Sequence, residues 1–428
     1  MSILIKNARV IDPSQSIDEK INILVEDGKI SKISKNIKET AKVVIDAENK
    51  IVTPGLIDMH THVREPGYEY KEDIYTASRA AAKGGFTTIC AMPNSNPACD
   101  SQGIAEFVKK RAKEVNLINI IPIGAITKKR EGIELAELAD LKEAGCLAIS
   151  DDGNSVRNSG VLRRAMEYAS MLELLVISHC EDSNLAGNGV MNESFISTKL
   201  GFGGIPNLVE SIIVSRDIMI AELTGTKLHI AHVSCKESVE IIKQAKKKST
   251  KLSAETCPHY FSLTDEYLTT FDTNAKVNPP LRTKEDVKFI KNALNDGTID
   301  VIATDHAPHI ESEKELEFND APFGMIGLQT TLALSIKLVD GKIISWPRLI
   351  ELLSTNPSRI LGLDKGSLKE GKMADITIID PDCEWVVTKE TIESKSKNTP
   401  FINSKMKGCA TDLLVNGKII LKNSNFIA

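Results

Sequence analysis

No two of the eight cysteines are spaced as C-x-x-C, and none has the tight spacing of a small disulfide-stapled scaffold. A chain of 428 residues does not need such staples, and this usage suits a reducing compartment. Cys180 and Cys235 fall near strand ends and read as buried, neutral thiols. The first residues, "MSILIKNARVID", carry an apolar run too short for a signal peptide, and no segment reaches the ~20 apolar residues of a membrane-spanning helix. The expected location is the cytoplasm, with no membrane partner. Charge of one sign is also missing: 53 basic and 58 acidic residues are mixed along the chain, so no cationic field favours nucleic acid. The longest basic run, "KQAKKKSTK" from Lys243, continues a helical pattern that begins near Ser234 and reads as a solvated helix face. Internal repeats and low-complexity tracts are absent as well. What remains is a globular chain, 42% hydrophobic and 26% charged, with ample material for a core.

From Gly55 onward, short apolar runs alternate with helical segments: "GLIDMH", "FTTICAM", "INIIPIGAI", "CLAISD", "LLVISH", "KLHIAH", "KLSAET" and "IDVIATD". Most are too apolar for a sheet with one wet face, and segments such as "SQGIAEFVKKRAKEV" carry the stripe of an amphipathic crossover helix. Eight such units predict an α/β fold, a (β/α)8 TIM-like barrel, over residues 54–361. Both ends of the chain read as strands instead, with hairpin signals at Asp27-Gly28 and Asn416-Gly417. Neither end could close a core alone. Residues 1–53 and 362–428 are therefore expected to pair into one discontinuous β-sandwich domain.

Catalytic groups of a barrel collect at the C-terminal ends of its strands. There the first run ends in His60 and His62, two residues apart and so on one side of a strand, where both imidazoles can reach one ion. His179, His232 and Asp305 close the fifth, sixth and eighth runs. Four histidines and an aspartate exceed what a single catalytic zinc with an open position takes, so two metals are expected. A bridging carboxylate is then needed, and "CLAISDDG" offers Asp151 and Asp152; one of them is expected to cap the turn. His229, three residues before His232, is expected to face the other side of its strand and pack against a helix.

The motifs "DMHTHVREPG", "AMPNSNP", "SDDG", "HCED", "AHVS", "AETCPHYF", "NPPLR", "ATDHAPH" and "APFGMIGLQT", in this order, resemble the amidohydrolase superfamily and, within it, bacterial dihydroorotases built from a barrel and a terminal β-sandwich. The resemblance covers essentially the whole chain. It implies that His60, His62 and Asp305 hold one divalent ion and His179 and His232 a second, zinc being the expected metal, with Asp152 bridging. Many relatives bridge with a carboxylated lysine on the fourth strand; here Lys142 belongs to the preceding helix, which separates the chain from hydantoinases. Arg64, Asn94 and His309 match positions that grip a substrate carboxylate, with His62 beside them. Asn278 and the Phe323–Gly324 backbone would face the ring, and His259 would support or pack.

The implied reaction is the reversible, metal-dependent cyclisation of N-carbamoyl-L-aspartate to (S)-dihydroorotate in pyrimidine biosynthesis, with Asp305 moving the proton. A homodimer and a complex with aspartate transcarbamoylase are the partners that the resemblance suggests. The rival readings are an allantoinase or hydantoinase, and a non-catalytic transcarbamoylase partner; six intact ligand positions disfavour the latter. The charged stretch "ESEKELEFND", Glu311 to Asp320, reads equally as a mobile loop over the site or a solvated helix.

Overall fold

The computed structural model describes residues 2–248 and 251–427. Eight parallel strands form a ring: β1 Leu56–Thr61, β2 Phe86–Ala91, β3 Asn119–Pro122, β4 Ala148–Ile149, β5 Leu175–Ser178, β6 Leu228–Ile230, β7 Leu252–Thr256 and β8 Val301–Ile302. Continuous ladders join β1 to β3 and β4 to β8. Single parallel bridges complete the ring, Gly124 to Ile149 between β3 and β4, and Thr61 to His306 between β1 and the chain leaving β8. All eight apolar runs become strands, and the fold is the expected TIM-like barrel flanked by terminal β-structure.

All the barrel strands but β3 are buried along their length because each has a helix on one side and the barrel interior on the other; Asn119 and Ile121 of β3 are partly exposed. Ile57, Met59, Cys90, Ile123, Leu175, Ile177, Val301 and Ala303 belong to one interior cluster drawn from strands around the ring. Outside, the helix Gln102–Val115 buries Ala105, Val108 and Ala112 and leaves its lysines in water. Burying one valine side chain of this kind stabilises by about 1.5–3 kcal/mol, which is why the stripe decides the docking face. The basic run begins on the helix Lys236–Lys246, where Val239, Ile242 and Ala245 face inward, and continues past its end. Two of its lysines form ion pairs, Lys243 with Asp296 at 2.5 Å and Lys246 with Asp300, while Ser249 and Thr250 lie outside the described residues. Among the described residues no helix is long and apolar enough to cross a membrane.

The chain ends meet in two sheets. One, of four strands, is N-terminal: Lys29–Ser34, Asn22–Glu26, Ser2–Lys6 and Val43–Asp46 in spatial order. The other, of seven, is mixed, and its centre is the antiparallel pairing of Ile376–Val386 with Ile51–Pro54. Ile3, Ile5, Ile23, Val25, Val52, Ile376, Ile378 and Leu414 share the core between them. Both hairpin turns need left-handed backbone, with φ of 49° at Asp27, 81° at Gly28, 50° at Asn416 and 74° at Gly417. They also abut: a Cβ on Gly417 would stand 2.1 Å from the Cα of Gly28. Between the long strands Ile376–Val386 and Lys405–Val415, the chain leaves the sheet and lies against the barrel mouth, where Ser396 Oγ donates to Lys71 O at 2.6 Å.

Candidate active site and metal centre

The C-terminal ends of β1, β5, β6 and β8 and the loop after β4 converge on one cavity of about 400 Å³. Its lining includes His62, Arg64, Asn94, Asp152, His179, His232, Asn278, Asp305, His309, Phe323 and Gly324, which are all the sequence-derived site residues except His60. His60 lies beneath, fully buried. Three site residues adopt left-handed backbone without being glycine, with φ of 61° at Arg64, 34° at His232 and 47° at Asp305. Such conformations cost of order 1–3 kcal/mol each and persist where the surroundings enforce them. Part of that enforcement is Asp58, whose carboxylate accepts from Thr304 N at 2.9 Å, Thr304 Oγ1 at 2.7 Å and the Thr61 hydroxyl. It ties the end of β1 to the chain leaving β8, and thus His60 and His62 to Asp305.

The two aspartates after β4 separate cleanly. Asp151 turns away and accepts from the backbone N–H groups of Ile126 at 2.9 Å and Thr127 at 3.0 Å, and from the Thr127 hydroxyl at 2.5 Å. Asp152 faces the histidines. Its Oδ1 lies 3.1 Å from His60 Nε2, 3.6 Å from His232 Nε2 and 3.7 Å from His179 Nδ1, while Oδ2 lies 3.6 Å from His62 Nε2. Asp305 Oδ1 lies 3.0 Å from His62 Nε2 and 3.6 Å from His60 Nε2. Among the described residues, His60, His62 and Asp305 can share one ion, and His60, Asp152 and His232 another; Cys257, His259 and Asp305 form a third such group.

These donors fit divalent cations on two grounds. His60 Nε2 and Asp152 Oδ1, which face each other across the site, are buried without any hydrogen-bond partner, a costly condition that a bound cation would relieve. Burial also disfavours charge on His179, yet Asp152 and Glu181 lift its pKa to about 10. The carboxylates that stabilise positive charge on this ring also favour a cation beside it.

Further groups orient the histidines. His62 Nδ1 donates to Asn94 Oδ1 at 2.8 Å, and His60 Nδ1 to Glu255 Oε1 at 2.7 Å, leaving both Nε2 atoms for the site. Glu181 Oε2 takes His179 Nε2 at 2.9 Å and Asn278 Nδ2 at 2.9 Å. Neither glutamate was singled out from the sequence, although a charge inside the apolar run "KLSAET" was a visible signal for Glu255. Glu255 also corrects the expectation for His229. That residue is held by the neighbouring strand: its Nδ1 lies 2.8 Å from Ser253 Oγ and its Nε2 3.1 Å from Glu255 Oε2, both on β7. The left-handed turn at His232 breaks the two-residue alternation of β6, so a spacing of three does not put the two rings on opposite faces. Replacing Glu255 by glutamine should weaken metal binding about 10- to 100-fold in competition with a chelator; unchanged affinity would reduce Glu255 to a packing residue.

In the wall of the same cavity, Arg64 Nη2 lies 3.4 Å from His309 Nε2, and Arg64 Nε donates to Pro308 O at 3.2 Å. His309 Nδ1 meets Glu313 Oε2 at 3.0 Å and Lys71 Nζ at 3.3 Å; the tautomer that satisfies Glu313 and Arg64 carries its proton on Nδ1. Burial, with Arg64 and Lys71 close by, pushes the His309 pKa down to about 2 and keeps the ring neutral. Glu313 belongs to the single helical turn Glu311–Lys314, which is neither a free loop nor a plain solvated helix: Lys314 is buried and donates to Pro322 O at 2.7 Å. Gly324 is committed within the protein, its N–H to Lys276 O at 2.9 Å and its carbonyl accepting from Lys314 and Asn398. His259 is buried edge-on against Tyr260, outside the cavity lining. Cys180 and Cys235 are buried, and burial pushes both thiols up.

Residues 49–238 match a family model described as dihydro-orotase-like. A dihydroorotase of Geobacter metallireducens is 51% identical over 423 residues, covering 99% of this chain and 100% of the relative. One of Geotalea daltonii is 52% identical with the same coverage. Among solved structures, an L-hydantoinase (dihydropyrimidinase) from Arthrobacter aurescens superposes with a TM-score of 0.90 over 100% of this chain and 97% of its own; at 24% identity, that likeness speaks for the fold. A D-hydantoinase gives 0.85 at 26% identity, covering 100% of this chain and 97% of its own. Identity near one half along essentially the whole of both chains, for the first two relatives, leads to one conclusion: the chain belongs to the dihydroorotase family of the amidohydrolase superfamily.

Proposed function

We propose that the protein is the dihydroorotase its relatives are named for, interconverting N-carbamoyl-L-aspartate and (S)-dihydroorotate. The observation that carries the substrate reading is the pairing of Arg64 with a neutral His309 in the wall of the cavity that also holds the histidine and aspartate cluster. A half-buried guanidinium suits a carboxylate through paired hydrogen bonds, and a neutral imidazole beside it adds no competing charge. Against a hydantoinase stands the lining itself, which contains no lysine among the described residues; Lys142 sits on the helix Leu138–Glu143.

His60, His62 and Asp305 would hold one divalent cation and His179 and His232 another, with Asp152 reaching both; zinc is our choice of metal. Bound there, such cations lower the pKa of water from 15.7 towards about 7 and draw electron density from a carbonyl oxygen. The chain's own residues do the rest. Arg64, Asn94 and His309 take the substrate carboxylate and fix the ring. Asn278, whose amide nitrogen is held by Glu181, and the Phe323 backbone face the ring edge, while Gly324 contributes closeness, since a Cβ there would stand 2.8 Å from Ala307 Cβ. Asp305 receives the proton of the attacking water and returns it to the ring nitrogen as the C–N bond breaks. In the closing direction the ureido nitrogen gives its proton to Asp305 and attacks the side-chain carboxyl, and the departing oxygen leaves as water.

The same reading treats residues 54–361 as the catalytic barrel, residues 1–53 with 362–428 as its flanking β-domain, and the cytoplasm as the location. A homodimer is supported by the helix Leu208–Thr224, which exposes Leu208, Ile212, Met219 and Leu223 along one face. A complex with aspartate transcarbamoylase rests on the resemblance, and sizing with and without that enzyme tests both. For the activity, purified protein should hydrolyse dihydroorotate, lose turnover on chelation and regain it with zinc. Preferential turnover of allantoin or dihydrouracil in the same assay would replace the substrate assignment.

A further inference from the structure

The segment that leaves the C-terminal sheet reaches the cavity wall. Ser394 Oγ donates to Glu72, Lys395 N to Glu72 Oε1 at 3.1 Å, and Ser396 Oγ to Lys71 O at 2.6 Å, fastening the segment to the loop after β1. At its end stands Asn398, 4% exposed. Its Oδ1 accepts the backbone N–H of His309 at 3.0 Å; its Nδ2 donates to Ala307 O at 3.0 Å and Gly324 O at 3.1 Å. Its own carbonyl accepts from Ile326 N at 2.9 Å. One buried amide thus joins two loops, one carrying His309 and the other Phe323 and Gly324. They meet without slack, since a Cβ on Gly324 would lie 3.2 Å from His309 Cδ2.

We propose that Asn398 is a positioning residue for substrate selection: it sets the separation between the carboxylate-binding wall at His309 and the ring-facing wall at Phe323–Gly324. The inference rests on the substrate reading above, and it assigns the β-domain a part in that site. The amide suits the task because its two ends are not interchangeable. Oxygen meets an N–H and nitrogen meets two carbonyls, so one orientation satisfies every partner and holds both loops. Losing the amide leaves the buried His309 N–H and Ala307 carbonyl without a partner and Gly324 O with Lys314 alone, and the loops relax apart.

The test compares wild type with Asn398→Ala, reading the dihydroorotate KM and kcat, the inhibition constant of dihydrouracil, which lacks the carboxylate, and metal content. The expected result is a KM for dihydroorotate raised about 10-fold or more, with kcat changed far less, because ground-state binding has been lost. Dihydrouracil inhibition and metal content should stay at the wild-type level. A folded variant with an unchanged KM, or one that loses both ligands equally, overturns the proposal, the second result being what a general structural defect gives. Should Asn398→Ala fail to fold, Asn398→Asp carries the test: it keeps the acceptor for the His309 N–H, sets an anionic oxygen against two carbonyls, and should raise the same KM selectively. Wild-type protein inactive on dihydroorotate would overturn the substrate reading instead.

Discussion

Asp305→Asn should retain its metal and its fold while turnover falls by about 10²–10⁴, the range over which a positioned acid–base group contributes. The substitution keeps the side-chain shape and an oxygen able to face a cation, but an amide cannot accept and return a proton. Geometry makes Asp305 the candidate: it lines the cavity, lies 3.0 Å from His62 Nε2 and sits in a left-handed backbone conformation held by its neighbours. The measurement is kcat in both reaction directions alongside metal analysis. Turnover should fall in both directions, because one group serves the same proton in each. A variant that keeps substantial turnover with its metal intact would sink the assigned role, and one that loses the metal as well would make Asp305 a ligand above all.

The second large effect concerns the adjacent aspartates, which should part company on mutation. Asp152→Ala should reduce metal affinity by more than the ~10- to 100-fold that losing a ligand's hydrogen-bonding partner costs, since its oxygens face all four histidines. Asp151→Ala should leave metal content intact and lower stability by about 1–3 kcal/mol, because the buried N–H groups of Ile126 and Thr127 lose their acceptor. Metal analysis and thermal unfolding of both variants give a double readout. Two ions still tightly bound in Asp152→Ala would remove it from the bridging position. Reversed behaviour of the pair would exchange the two roles.

Much of this site was legible because barrel strand ends are a one-dimensional signal. An apolar run that stops on histidine or aspartate places that residue on the rim whatever the loops do, and β1, β5, β6 and β8 all stop that way. His229 was misread for a related reason. Strand alternation predicts its face only while the backbone stays extended, and the left-handed turn at His232 ends that condition. Glu255 and Glu181 were passed over because their importance lies in what they touch, His60 and His229 for one, His179 and Asn278 for the other.

The order of polar and apolar residues by itself determined the barrel, the strand character of the two chain ends, and the histidines and aspartate at the rim. Each follows from periodicity and burial, which are local properties of a chain. Tertiary structure alone decided which of Asp151 and Asp152 faces the histidines, which nitrogen of each imidazole is free, and that Asn398, 89 residues from His309, clasps the cavity wall. Hydrogen bonds are short and directional, so their partners exist only once distant segments have been brought within about 3 Å, and no pattern along the chain encodes that meeting.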